Sequence, residues 1–556
     1  MRKILYIPLL VVLAIVVAAI TPMVAGWLYT DIERIDRDFE GIFGIDTGNK
    51  TASGDSPRVE KTIHLLIIHG IGRHCIGYAD NLTTGIARHA SFFPATDKVS
   101  PYLSPKQCGK DIASDDFDNK QDKVCDLIRQ QDIPDRDCQH FKMEASYIDP
   151  ASGESGTSTF FLGYIRTQDY APKGHANGVA RLRLHELTWD PATRWAKNFY
   201  VQEADDISNY SRAILNRKLK QRIINESISD AVLYLGQYRP MMQYPLLMSF
   251  CKIMSDAVGI SSRNDKGFTC DLRKIADRLD SPGALEALAL EAFFEKNEIV
   301  IMTHSLGTRM LFDTLGLIGH DDFVSRFKKG LAENGITIEI PTNGPIRTRR
   351  VLDIFGIAID KVFTLANQVP LLELGRVIPP TSFDVDLDLG TGFDRFVKRR
   401  VDGDELSGYA SPLQLVAFTD PNDLLSYNLK CWYYLRVLRE HDELRDQDGL
   451  RISEKTEQER KKFFENYFNS CEVEQKDKTG EFISAEKKIR AGFWKAADRY
   501  VRISDVTANL KGIRYPLLFA DPSGAHSQYF EDETIFGLIA CGGASGTAER
   551  ISCKIE

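Results

Sequence analysis

The feature that most constrains this chain is the stretch 298–315, EIVIMTHSLGTRMLFDTL, with Ser305 at its centre. Residues 298–303 are rich in branched apolar side chains and predict a short buried strand, and apolar residues at helical spacing predict a helix over 306–315. Ser305 therefore lies on a predicted strand-to-helix corner. Such a corner forces strained backbone angles on its central residue and directs the first amides of the helix toward the space above it. Gly307 is the small residue that lets the strand and the helix approach each other.

An earlier stretch also ends a strand in a special turn. Residues 62–68, TIHLLII, predict a core strand that runs directly into HGIGRH at 69–74. Gly70 and Gly72 allow the backbone of this turn to come close to a bound group. The sequence therefore predicts a second turn at the carboxyl end of a buried strand, with backbone that a bound group can approach.

Two aspartates follow a later strand. Residues 413–418, LQLVAF, predict the strand, and TDPNDLLSY comes next, so Asp420 and Asp423 both lie on the loop that leaves it. Asp423 is better spaced from the strand end for a loop that must reach back to a histidine, whereas Asp420 could cap the turn at Pro421. We predict that Asp423 is the functional acid, with Asp420 as the alternative.

A histidine follows the last predicted strand. Residues 515–520, YPLLFA, predict that strand, and His526 lies on the loop between it and a final apolar helix. His441 is the only other histidine after the two aspartates, and its highly charged helical surroundings are typical of a solvated face. His526 is therefore the better candidate for a base.

With the HGIG turn, the THSLG corner and the histidine loop in this order, the chain resembles the α/β-hydrolase family of serine esterases and lipases. The resemblance covers the sheet-forming parts of residues 61–545. It implies an α/β fold with a mostly parallel sheet flanked by helices. One departure is Thr303, which stands where the family's nucleophile elbow usually has glycine, although a β-branched residue suits the end of a strand.

The resemblance also implies a catalytic triad and an oxyanion hole. His526 would take the proton from Ser305 while Asp423 orients the imidazole, and the serine would then attack an ester carbonyl. Backbone amides would stabilise the charge that develops on the carbonyl oxygen. The candidate donors are the amides of Gly70, Ile71, Gly72 and Leu306. No metal or other cofactor is implied.

The first 29 residues differ from the rest of the chain. Residues 4–20 are an unbroken apolar run, preceded by Arg2 and Lys3, and acidic residues follow the segment. A single transmembrane anchor is therefore predicted, with the body on the non-cytoplasmic side by the positive-inside rule. The alternative is a cleaved signal peptide with its processing site near VAG at 24–26. Both readings export the body.

The remaining segments are assigned by composition. Residues 30–60 predict a polar linker, and residues 95–175 predict a polar insertion over the sheet edge that is not part of the sheet. Residues 191–280 predict helices that include a Met- and Tyr-rich portion, which we assign to a cap over the site, although such a stripe is usually core. Residues 430–500 predict a charged helical insertion, and residues 546–556 form a C-terminal tail.

The chain has 10 cysteines, which is consistent with an oxidising compartment, and no CxxC spacing occurs among them. Their pairing does not follow from the sequence. Free buried thiols remain an alternative for Cys251 and Cys431, which lie in apolar surroundings.

Together these features predict a membrane-anchored serine hydrolase that cleaves lipid or lipid-linked acyl esters. Its partners would be the bilayer and the ester substrate, and the sequence does not indicate an oligomeric state. A net charge of −8 and a pI near 5.9 argue against a nucleic-acid surface. Two other functions fit the same residues. One is a catalytically inactive, membrane-tethered scaffold of the same fold, and the other is an acyltransferase that passes the acyl group to an alcohol.

Overall fold

The computed structural model describes residues 31–44, 61–95, 117–130, 136–148, 155–172, 179–194, 196–197, 228–260, 268, 270–279, 284–333, 336–337, 345–373, 393–402, 405–429, 500–510, 514–515, 519–520 and 522–545. Among these residues, no helix combines the length and the apolar character needed to cross a bilayer. The predicted membrane segment 1–29, the charged insertion, apart from Tyr500, and the tail 546–556 lie outside the described residues.

One large sheet organises the chain, and its strand order is β1-β12-β11-β10-β8-β3-β7-β6-β5-β9, with β4 paired to β6. The strands are β1 Asp31–Ile35, β3 Lys61–Ile68, β4 Phe92–Pro94, β5 Arg136–Ile148, β6 Ser155–Pro172, β7 Val179–Thr188, β8 Asn297–His304, β9 Ile336–Thr337, β10 Ile359–Leu365, β11 Leu413–Thr419 and β12 Val501–Asn509. Two short two-stranded sheets pair β2 Phe39–Glu40 with β15 Gly542–Gly543, and β13 Arg514–Tyr515 with β14 Phe519–Ala520.

The six central strands, from β7 to β12 across the sheet, are parallel. Side chains of β3 alternate between two core clusters, with Leu66 and Ile68 in one and Leu65 and Ile67 in the other. Both faces of a parallel sheet need apolar cover. The mixed α/β architecture with a mostly parallel sheet flanked by helices agrees with the predicted fold class at this level.

Helices cover both faces of the sheet. They are α1 Asp80–His89, α2 Phe117–Gln130, α3 Ser229–Leu235, α4 Arg239–Ala257, α5 Leu272–Leu279, α6 Ala284–Lys296, α7 Leu306–Ile318, α8 Phe323–Ala332, α9 Pro345–Ala358, α10 Val369–Glu373, α11 Phe393–Asp402, α12 Pro522–Ser527 and α13 Glu533–Cys541, with single-turn 3-10 helices at Glu405–Tyr409 and Gln528–Phe530. Helices α1 and α13 pack on the face that carries Leu65, and α4, α7 and α9 pack on the opposite face.

The prediction that residues 95–175 lie outside the sheet is wrong. Strands β5 and β6 form a long antiparallel hairpin, and β6 pairs with β7, so the hairpin extends the main sheet. The strands were hidden because one face of the hairpin is exposed at residues such as Lys142 and Glu144. Such alternation gives an antiparallel strand a polar composition.

The assignment of the Met- and Tyr-rich segment to a cap is also wrong. It forms α4, which packs on β6, β7 and α7 and buries 13 of its side chains. Its methionines are therefore plain core, which is the usual role of such side chains.

The polar linker and the last strand need correction as well. Residues 31–44 are not a tether, because β1 pairs with β12 at the sheet edge and Ile32, Ile35 and Phe39 are buried. The last strand of the main sheet is β12, which pairs in parallel with β11. Tyr515 and Ala520, which bound the predicted last strand, belong instead to the small β13-β14 hairpin.

Every cysteine among the described residues is in a disulfide, namely Cys75, Cys125, Cys138, Cys251, Cys270 and Cys541. One bridge, between Cys125 and Cys138, joins α2 to β5. The other described pair joins Cys251 of α4 to Cys270, just before α5. The free-thiol alternative is therefore wrong for Cys251, and Cys431 lies outside the described residues.

Candidate active site

The candidate site lies where the sheet order reverses direction. The parallel strand that follows β3 in the chain is β7 on one side of it, whereas the strand that follows β8 is β10 on the other side. Adjacent strands whose connections diverge leave a crevice at their carboxyl ends, and ligands of α/β proteins bind there. The HGIG turn follows β3, and Ser305 follows β8, so both predicted turns flank this crevice.

Ser305 occupies a strained corner between β8 and α7. Its backbone angles are φ 55° and ψ −125°, which a non-glycine residue adopts only at a cost of about 1–3 kcal/mol. The amide of Ser305 donates to the carbonyl of Leu365 at 2.9 Å, which ties the corner to the end of β10. At Gly307, a Cβ atom would lie 2.6 Å from the carbonyl oxygen of His69. Only glycine therefore fits where the helix passes the end of β3.

Thr303 shows how the corner accommodates a residue other than glycine. Its hydroxyl lies 2.8 Å from the hydroxyl of Thr308, and both side chains are buried. This hydrogen bond gives each buried hydroxyl a partner. The free-energy cost of burying an unpaired hydroxyl is therefore avoided. The threonine thus links the end of strand β8 to the first turn of helix α7.

The imidazole of His526 lies between Ser305 and Asp423. Its Nε2 is 2.9 Å from Ser305 Oγ, and its Nδ1 is 2.8 Å from Asp423 Oδ2. The three residues are far apart in the chain, since His526 and Ser305 are separated by 221 positions. Asp423 Oδ1 accepts from the amide of Leu425 at 3.0 Å, which holds the carboxylate toward the ring. With Asp423 as acceptor at Nδ1, the ring carries its proton there and leaves Nε2 to accept from the serine.

Asp420 faces away from the histidine and organises its own loop. Its Oδ1 accepts from the amide of Asn422 at 2.7 Å, and its Oδ2 accepts from the amide of Leu510 at 2.9 Å. Asp420 therefore joins the loop after β11 to the end of β12. The structure brings Asp423, and not Asp420, against His526.

The turn after β3 packs directly on the serine. A Cβ atom at Gly70 would lie 2.6 Å from Ser305 Cβ, so this turn and the corner are in close contact. Within the described ranges, no acceptor takes a hydrogen bond from the amides of Gly70, Ile71 or Leu306. Unpaired amides at a helix start and a glycine turn are suited to bind a developing negative charge.

Gly72 departs from the predicted set of donors. Its φ of 93° requires glycine, but its amide donates to Asp230 Oδ2 at 2.8 Å. Asp230 is fully buried on α3, and its other oxygen accepts from Thr193 Oγ1 at 2.8 Å and lies 2.5 Å from Lys197 Nζ. Gly72 therefore anchors the turn and does not donate to a ligand. The sequence carried no signal for Asp230, because its partner is more than 150 positions away.

The first residue of the same turn, His69, is buried and has a structural role. Its Nε2 accepts from the amide of Trp189 at 3.1 Å, so its Nδ1 carries the proton that it donates to the carbonyl of Gly70 at 2.8 Å. Burial holds the pKa of His69 well below its ordinary value, and the ring is neutral. The indole of Trp189 stacks on it with ring centroids 4.8 Å apart. Trp189 thereby holds the turn at His69, as Asp230 holds it at Gly72.

We expect the Gly70→Ala variant to lower the reactivity of Ser305 by about 10²-fold, because the added methyl must displace the serine or the turn by a substantial fraction of an ångström. The rate of labelling by a fluorophosphonate measures the effect. Gly408→Ala is the matched control, since a Cβ atom at Gly408 meets nothing within 4 Å. Equal rates for the two variants would contradict the close contact between Gly70 and Ser305.

The arrangement of these side chains can activate a serine hydroxyl as a nucleophile. A hydroxyl, an imidazole and a carboxylate form a hydrogen-bonded line, and within the described ranges the amides of Gly70, Ile71 and Leu306 have no acceptor. Comparison of the chain with protein-family models, with curated proteins and with solved structures found no match. What the site does is therefore inferred from its geometry.

Proposed function

We propose that the chain is a serine hydrolase of the α/β-hydrolase fold that cleaves carboxylic esters through an acyl-enzyme. The observation that carries the proposal is the bridging position of His526, 2.9 Å from Ser305 Oγ and 2.8 Å from Asp423 Oδ2. A strained serine corner and a glycine turn packed on it add support. The serine corner, the glycine turn and the Asp423 loop each follow a parallel strand at the same edge of the sheet, and His526 follows the short β13-β14 hairpin that comes after β12. This fold assembles its site at that edge.

The proposed reaction has two steps. Ser305 Oγ forms a bond to the ester carbonyl carbon while its proton moves to His526 Nε2, and Asp423 stabilises the imidazolium that results. The bond from carbon to the alcohol oxygen then breaks, and the alcohol leaves with that proton. Water repeats the sequence on the acyl-enzyme, with His526 again as base, and frees the acid.

Stabilisation of the oxyanion falls to the amide of Leu306 and to the turn at Gly70 and Ile71. A single donor of this kind is worth about 3–4 kcal/mol of the activation barrier. Leu306 is the first residue of α7, so the positive end of the helix dipole lies beside the reacting carbonyl. Gly72 is left out of this proposal, because its amide is engaged by Asp230.

The proposed substrate is a lipid or lipid-linked acyl ester. The apolar run at 4–20 is its first support, because an anchor would hold the site near a bilayer. The second is that apolar side chains are exposed on two segments that also carry residues of the site or of its supporting turn. Leu424, next to Asp423, is 71% exposed, and Val232, two residues from Asp230 on α3, is 63% exposed. The Met-rich helix α4 gives no support, because it is core.

The proposed location is the non-cytoplasmic side of a membrane. Disulfides form and persist in oxidising compartments. All six described cysteines are disulfide-bonded, which supports export of the body.

One observation favours a second candidate, a catalytically inactive scaffold of the same fold. Ser305 is fully buried, and only 14% of the His526 side chain is exposed, so a substrate reaches the hydroxyl only if surrounding groups move. A scaffold would keep this closed arrangement permanently. A hydrolase would open it, and a lipid or detergent surface is the natural trigger for an ester that resides in a bilayer.

Labelling with a fluorophosphonate separates these candidates. We expect the full-length protein to be labelled on Ser305, with labelling lost in Ser305→Ala and His526→Ala, because the probe reacts only with a serine that is activated by a base. The reaction is run in mild detergent and repeated with lipid vesicles. A folded wild-type protein that stays unlabelled in both conditions would contradict the hydrolase and favour the scaffold.

A further inference from the structure

His304, the residue before the serine, makes a contact that the reaction outlined above does not use. It is the last residue of β8 and is 6% exposed. Its Nε2 lies 2.7 Å from the backbone carbonyl oxygen of His526. The rings of His304 and His526 are tilted by 54° with centroids 4.9 Å apart, and the ring of Phe530 stands at 72° to that of His304 with centroids 5.1 Å apart.

The hydrogen bond defines the state of the His304 ring. A carbonyl oxygen can only accept, so His304 Nε2 must carry a proton and donate it. Burial is the main cause that holds the pKa of His304 well below its ordinary value, and the neighbouring His526 adds to the effect. The ring is therefore neutral, with its proton on Nε2 and an unprotonated Nδ1. Buried Nδ1 has no hydrogen-bond partner in the described part of the chain, and it lies against Gly70.

The contact links the base to the nucleophile through a single residue. His526 lies in the last turn of α12, where backbone carbonyls lack partners within the helix, and His304 supplies a donor for one of them. Asp423 fixes the rotation of the His526 ring, whereas His304 fixes the position of its backbone. Because His304 is joined to Ser305 by a peptide bond, the distance between the base and the serine is set locally.

Resting on the proposed function, we infer that His304 is a positioning residue that aligns His526 on Ser305 through its Nε2–H donor. A displacement of about 1 Å between reacting groups can cost 10²-fold in rate. Removal of the donor is therefore expected to lower kcat and to leave KM nearly unchanged, since His304 touches the base and not the ester.

Two variants at position 304 separate the hydrogen bond from packing. His304→Phe keeps a planar ring but has no donor, and His304→Gln places an amide N–H near the position of Nε2. We expect kcat for ester hydrolysis by the full-length protein to fall by about 10- to 100-fold in His304→Phe and to recover most of that loss in His304→Gln. His89→Gln is the control, because His89 lies on α1 away from the site, and its kcat should equal that of the wild type.

A double-variant measurement tests the same inference without relying on one substitution. If Asp423 and His304 align one ring together, His304→Phe should cost much less in an Asp423→Asn background than in the wild type, because residues that act as a unit are not additive. Independent losses would contradict the inference, as would equal kcat values for His304→Phe and wild type, or equal losses for His304→Phe and His304→Gln with unchanged melting temperatures. If the wild type hydrolyses no ester and takes no label, the proposed function itself is overturned, and this inference with it.

Discussion

Replacing Ser305 with alanine is expected to lower kcat/KM for ester hydrolysis by about 10⁴- to 10⁶-fold. Among the described residues, the Ser305 hydroxyl is the one nucleophilic group within hydrogen-bond distance of His526 Nε2, at 2.9 Å. The loss should appear with both short-chain and long-chain esters, because it removes bond formation and not binding. The rate of hydrolysis is measured from the alcohol that is released. Substrate affinity is measured separately, from inhibition by a non-hydrolysable amide.

The same experiment includes His526→Ala and the double variant. We expect each single variant and the double variant to be about equally inactive, because a nucleophile without its base gains nothing from being present. Ser411→Ala is the matched control, since Ser411 is exposed and, among the described residues, its hydroxyl bonds only to Asp360. Retention of more than about a tenth of the wild-type rate in Ser305→Ala would place the nucleophile elsewhere.

The second large effect separates the two aspartates of one loop. Asp423→Asn is expected to lower kcat by about 10³- to 10⁴-fold, because an amide can present its N–H₂ to His526 Nδ1 and so favour the tautomer in which Nε2 is already protonated. Its melting temperature should change little, since asparagine keeps an oxygen that can accept from the amide of Leu425.

Asp420→Asn should show the opposite pattern. Asp420 accepts from the amides of Asn422 and Leu510, so an amide nitrogen at either position faces a donor. We expect a loss of about 1–3 kcal/mol in the free energy of unfolding and a decrease in kcat of less than about 10-fold. Thermal melts and kcat are measured on the same preparations. A large kcat loss in Asp420→Asn with little effect in Asp423→Asn would show that the acid has been misassigned.

Local patterns predicted the parts of the sheet that are buried on both faces. Strands β3, β8 and β11 lie where continuous apolar runs predicted them, because a parallel strand between two helical layers must be apolar throughout. Strand β12 was missed, since its sequence, VRISDVTAN, mixes polar and apolar residues. Its polar groups find partners in the fold, as when the carboxylate of buried Asp505 accepts from the amide of Leu429. No local pattern contains that information.

The sheet edges were the least predictable part. Strand β1 has only five residues, and its apolar side chains meet partners more than 450 positions away. Strands β5 and β6 carry polar residues on one face, which reads as an irregular insertion until the pairing is known. Edge strands need little hydrophobic surface of their own because pairing with a neighbour supplies their stability.

The sequence by itself determined which residues could form the candidate site. A serine on a strand-to-helix corner, a glycine turn and an acid each follow a strand at the same sheet edge, and a histidine comes after them in the chain. The order of the strands limits how these residues can meet. These are local properties, set by backbone strain, glycine spacing and the length of apolar runs.

Only the tertiary structure decided which groups touch. It placed Asp423 and not Asp420 on His526, gave the amide of Gly72 to Asp230, and set the donor of His304 on the carbonyl of His526. The physical reason is that a hydrogen bond needs two atoms within about 3 Å, so a choice between neighbouring residues depends on loop paths that are fixed by distant packing. The residue types in the sequence set which reactions the site could perform, and the tertiary structure sets which of these groups are aligned to react.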